Sequence, residues 1–98
     1  MLRHVVMFRW REGTTLQHLK AIEEGLGGLP AAIPELQAYE FGPDVRVNEG
    51  NFDFVVVADF HDLDDYLVYR DHPMHQAVIA ERIRDHIAER AAVQYDIA

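Results

Sequence analysis

The densest chemistry in the chain lies in Tyr69-Arg70-Asp71-His72-Pro73-Met74-His75-Gln76. This stretch holds a tyrosine and two of the six histidines. Pro73 has a fixed φ and no N–H, so it belongs at the first position of a helix. Asp71 or His72 is then the cap. His75 falls inside the first turn, near the positive end of the helix dipole. That field favours the neutral imidazole, which can accept a proton, and His75 is therefore the best candidate for a general base. The plainer reading makes His72 a cap and His75 a partly solvated surface residue, since acid–base work needs a pocket as well as a base. A metal held by His72 and His75 is a weaker idea. Residues at i and i+3 share a helix face, but no third ligand is evident, so no metal is expected.

Composition sets bounds. The 98 residues make one domain, near the small end of what buries a good core. Hydrophobic residues are 49% of the chain, as in globular proteins. No apolar run is long enough to span a membrane. The start, Met1-Leu2-Arg3-His4, runs directly into a strand pattern, so no signal peptide is expected. The chain has no cysteine, which excludes disulfide and thiolate chemistry and suits a cytoplasmic protein. A formal charge of −8 argues against nucleic acid or an anionic membrane as partner.

Several elements must position the candidate residues. His4 to Trp10 reads as a strand that is apolar on both alternating faces. Such a strand is covered on both sides. In so short a chain helices cover one face, and a second subunit is the natural cover for the other. Thr14-Thr15-Leu16-Gln17 reads as a capping box between Thr14 and Gln17. Leu16, Leu19, Ile22 and Leu26 follow at helical spacing and should face the sheet, with His18 solvated. Gly25, Gly27 and Gly28 weaken and end this helix. Leu29 to Ile33 has room for one more short helical turn before Pro34. Leu36 to Gly42 alternates as a second strand. Phe52 to Phe60 is the strongest strand pattern, with Asp53 among apolar neighbours, where a carboxylate needs a partner or water. Asp62 is a plausible cap for a short helix through Tyr69. A second helix is predicted from Pro73 to about Ala88, burying Ile79, Ile83 and Ile87, with His86 at its C-terminal end. Ala91 to Ile97 closes the chain as a strand. The order β-α-β-β-α-α-β describes an α+β, ferredoxin-like sandwich with helices on one face of a four-stranded antiparallel sheet.

This order, together with Arg3-His4-Val5-Val6-Met7-Phe8-Arg9-Trp10, Asn48-Glu49-Gly50-Asn51-Phe52-Asp53-Phe54, Tyr69-Arg70-Asp71-His72-Pro73-Met74-His75 and Ala91-Ala92-Val93-Gln94-Tyr95-Asp96, resembles the stress-responsive A/B barrel family, also called the Dabb domain. The resemblance spans essentially the whole chain. It implies a homodimer in which two four-stranded sheets pack face to face into an α+β barrel. It also implies a relation to the plant polyketide cyclase that forms olivetolic acid by aldol cyclisation. In that light His75 matches the catalytic base, Tyr69 a tyrosine that holds substrate or base, and His4 a pocket histidine on the first strand. The chemistry would be proton abstraction next to a carbonyl, with no cofactor. Asp53 stands where the cyclase has a further histidine, and Leu26 where it has a tyrosine.

The family register implies that His4, Val6 and Phe8 share the helix-covered face with Asp53, Val55 and Val57, while Phe52, Phe54 and Val56 face the barrel. Asp53 would then pair with His4 or His75. The ligand-contacting residues expected on this basis are Asp53, His72, Val6, Phe8, Val55 and Leu26. Three functions follow: a cyclase-like enzyme on a small carbonyl compound, a binder of a small hydrophobic ligand without turnover, or a stress-related structural dimer. A cavity at His4, Tyr69 and His75 favours the first two.

Overall fold

The computed structural model describes residues Met1–Ala98. The elements run β1 (Leu2–Trp10), α1 (Leu16–Gly27), α2 (Leu29–Ala32), β2 (Ala38–Pro43), β3 (Phe54–Phe60), α3 (Leu63–Asp71), α4 (Pro73–Val78) and β4 (Ile87–Asp96). Between α4 and β4 the helical path continues as a π-helical turn, Ile79–Ile83, and a 3₁₀ turn, Arg84–His86. The four strands form one antiparallel sheet in the order β2-β3-β1-β4. This is the ferredoxin-like arrangement. No helix is long and apolar enough to cross a membrane.

The local signals work with some displacement. The cap of α1 is Thr15, not Thr14. Thr15 Oγ1 accepts from the His18 N–H at 3.2 Å, and His18 Nδ1 accepts from the Thr15 N–H at 3.1 Å. An imidazole nitrogen fills the acceptor role that glutamate or glutamine fills in the usual capping box. Thr14 instead donates its hydroxyl to the Arg11 carbonyl at 2.8 Å. The shift leaves Leu16 in the first turn, 85% exposed rather than against the sheet. His86 is not at the end of a long helix. It lies in the 3₁₀ turn, and its ring stacks on His18 with centroids 4.3 Å apart. Strand pairing begins at Ile87, so this residue belongs to β4 and not to the helix stripe.

Ile22, Leu29, Ile33, Ala58 and Phe60 are fully buried, and together with Val6, Phe8, Leu26, Phe54 and Val56 they make the core between helices and sheet. Gly25 brings α1 close to the π-helical turn: a Cβ there would stand 2.7 Å from Arg82 Cδ. Arg82 in turn donates to the Ala21 carbonyl at 2.7 Å.

The register of β1 with β3 reverses one expectation. His4 opposes Ala58, Val6 opposes Val56 and Phe8 opposes Phe54. Opposed residues in an antiparallel pair share a face. Phe54, Val56 and Ala58 therefore join His4 on the helix-covered side. Val55 and Val57 lie on the other face, beside Met7 and Val5. A one-residue slip exchanges the two faces, and a strand apolar on both sides does not say which applies. No helix covers the second face. It carries exposed Met7, Val93 and Tyr95, and a bidentate pair between Arg3 and the buried Asp59 with both contacts at 2.8 Å.

Candidate functional site

The helix-covered face is not filled completely. A cavity of about 190 Å³ remains between β1, β4, α3 and the α4–π segment. Val6, Phe8, Leu26, Val56, Ile79 and Ile83 supply its apolar wall. His4, Tyr66, Tyr69 and His75 supply its central polar groups, with Arg70, Gln76 and Arg90 also lining it.

His72 and Pro73 aim His75. His72 is extended (φ −62°, ψ 133°), as a residue before proline prefers. Its N–H closes α3 on the Tyr69 carbonyl, and its Nδ1 accepts from the Met74 N–H at 3.1 Å. His72 is thus a cap and does not line the cavity, which corrects the expectation that it meets a ligand. The sharp joint turns His75 back under Tyr69, and the two rings lie 4.1 Å apart at 30°. His75 Nδ1 is 3.0 Å from the Arg70 carbonyl. A carbonyl can only accept, so Nδ1 carries the proton and Nε2 keeps its lone pair. Burial pushes the His75 pKa below its ordinary value of 6.5, with His72 adding to the effect, against the raising influence of the Arg70 and Tyr69 carbonyls and Asp71. The neutral form expected from the helix dipole is thus favoured chiefly by desolvation.

His4 is 5% exposed. The Gln94 amide, opposite it on β4, donates to His4 Nδ1 at 2.8 Å, which leaves the proton on Nε2. Burial first, then the charge of Arg90 and the neighbouring His75, push its pKa down to about 4. The two cavity histidines are therefore both neutral near pH 7 and of opposite tautomer: His75 offers a lone pair at Nε2, His4 an N–H.

Tyr69 is buried, and its ring rather than its hydroxyl meets His75. Its hydroxyl makes a long 3.5 Å contact with that of Tyr39 on β2. Burial raises the pKa of both phenols, so neither is a phenolate at neutral pH.

Asp53 is not in this site. It precedes β3, and its carboxylate accepts from the Trp10 N–H at 2.7 Å and pairs with Arg46 at 2.7 Å. Burial opposes its ionisation, but the Trp10 N–H and Arg46 outweigh it and hold the carboxyl below its usual range. It neither contacts His4 nor orients His75; it ties the β2–β3 loop to the end of β1. Val55 is likewise removed from the cavity by the register. Tyr66, Gln94 and Arg90 are the neighbours that sequence reasoning missed. The last two stand four apart on β4 and so share a face, and only the register with β1 makes it the His4 face. No group of three or more His, Asp or Glu side chains is placed to hold a metal ion.

A four-stranded antiparallel sheet with helices on one face is the ferredoxin-like fold of a class of small α+β proteins. The chain belongs to the stress responsive A/B barrel (Dabb) domain family, whose model matches residues 2–97. A dimeric ferredoxin-like protein of unknown function from Thermobifida fusca YX is 43% identical, with a TM-score of 0.91 over 98% of this chain and 90% of that one. A second dimeric protein of unknown function, from Bacteroides fragilis, is 26% identical, with a TM-score of 0.84 over 98% of this chain and 95% of that one. The hydroxynitrile lyase of Passiflora edulis shares the fold at 20% identity, with a TM-score of 0.85 over 99% of this chain and 93% of that one. No curated protein matches the chain in sequence.

Proposed function

We propose that this protein is a homodimer whose cavity binds a small carbonyl compound and moves a proton at the carbon beside the carbonyl, as in a cyclase-like aldol reaction. The observation that carries this is the fixed tautomer of His75 at an apolar cavity. Its Nε2 takes the proton from the carbon. Its Nδ1–H stays on the Arg70 carbonyl, which steadies the imidazolium that forms. The enolate oxygen needs a donor that is not itself charged away at neutral pH. The His4 Nε2–H, held in that tautomer by Gln94, is such a donor, and the Tyr66 hydroxyl is a second. Tyr69 acts as a positioning residue through its ring. No cofactor enters this chemistry. The exposed apolar sheet face and the dimeric relatives support the homodimer. The Passiflora lyase is an enzyme on the same fold, but at its identity it carries the fold and not the reaction.

The test is exchange of the α-protons of phenylacetone in heavy water, followed by NMR. The protein should accelerate exchange over buffer, and His75→Ala should abolish the acceleration while phenylacetone still shifts the methyl signals of Ile79 and Ile83. Exchange at the buffer rate would overturn the enzyme reading. Methyl shifts without exchange would favour a binding protein. Neither signal would favour a structural, stress-related dimer.

A further inference from the structure

The chain carries 17 acidic and nine basic residues, yet none of the fourteen residues lining the cavity is acidic and two are arginines. Those two differ in state. Arg70 holds Asp71 in a bidentate pair at 2.9 and 3.1 Å. Arg90 makes none of the four ion pairs in the structure. It stands opposite Phe8 on β4, on the His4 side of the sheet, an exposed residue that also lines the cavity. A strongly acidic protein repels small anions unless a local cation receives them. An unpaired guanidinium beside an apolar chamber, with carboxylates excluded from the wall, is such a receiver, and its planar donors match a carboxylate in two-pronged fashion.

We infer that the compound held in this cavity carries a carboxylate, which Arg90 binds at the mouth while the apolar body and the carbonyl lie inward towards Ile79 and His75. The preferred ligand class is thus a small, largely apolar oxo acid, with neutral ketones of the same body admitted more weakly. This rests on the cavity being the ligand site. Arg90 is a specificity-determining residue here, acting on which compounds enter and not on the proton transfer.

Phenylpyruvate and phenylacetone share body and ketone, and differ in a carboxylate replacing a methyl. Their affinities are read from cavity methyl shifts in the full-length protein. One charge-assisted contact should favour phenylpyruvate by about tenfold. In Arg90→Gln the ratio should fall to near one, and in Arg90→Lys part of it should return. Arg90 is exposed, so both variants keep the fold. Equal affinities in the unaltered protein, or a preference that survives Arg90→Gln, would overturn the assignment of Arg90 and leave the cavity reading intact. If neither compound shifts a cavity residue, both readings fall together.

Discussion

At the scale of single residues, the two cavity histidines do different work because their neighbours differ. A backbone carbonyl fixes one, a side-chain amide the other. Each makes a pH prediction. His75 must be neutral to act, and burial holds its pKa below 6.5, so the exchange rate should rise with pH and be half-maximal below 6.5. A pH–rate profile checks this, and a half-maximum above 6.5 would contradict it. His4 concerns stability. Its pKa is about 4 when folded and near 6.5 when unfolded, so between those values the unfolded chain binds the extra proton. Stability therefore rises with pH across that window, by an amount on the order of 3 kcal/mol for the full shift. His4→Gln keeps an acceptor for Gln94 and does not titrate. Urea melts at pH 4.5 and 7 should show a smaller difference for this variant than for the unaltered chain. Tyr69→Phe removes a hydroxyl that faces Tyr39, so it should slow exchange by less than about tenfold, whereas a hydroxyl directly bonded to substrate would cost more.

At the scale of elements, the helix starts decide where side chains point. Thr15→Ala should lower stability by about 1 kcal/mol in thermal or urea unfolding, while Thr14→Ala should cost less. Element types and order were legible because turn residues, proline and apolar periodicity agreed along most of the chain. The His72-Pro73 joint was readable for the same reason, since proline allows few local geometries. Three features were not readable. Thr14 and Thr15 offer the same cap chemistry, and only the unexpected use of His18 as an acceptor selects Thr15. The helix beyond Val78 widens and stops at His86 because tertiary pairing with Trp10 claims Ile87, whose apolar character suits helix and strand alike. The facing of β3 is undetermined by its pattern because both its faces are apolar, and the register that the family resemblance implies places Val55 and Asp53 at a cavity they do not reach. His4, Val6, Phe8, Leu26, Tyr69 and His75 do meet at the cavity. Gln94 was out of reach of local reasoning: it is 90 residues from the histidine it holds.

At the scale of the whole molecule, the sheet has two unlike surfaces. On the uncovered one, Val57, Val5 and Val93 form a row across three strands, flanked by exposed Met7 and Tyr95. A chain of this size buries a modest core, and covering this row adds apolar burial worth about 25 cal/mol per Å². Light scattering should report a dimer, and Val5→Lys, which sets a charge in the middle of the row, should give a monomer with an unchanged far-ultraviolet spectrum. A monomeric unaltered protein would overturn the homodimer.

The cavity and the row lie on opposite sides of one sheet. With the sheet standing between them, filling a cavity need not disturb the row. Titration curves should be simple hyperbolas with one equivalent taken up per chain, and dilution across the dissociation range should leave the half-saturation point where it was.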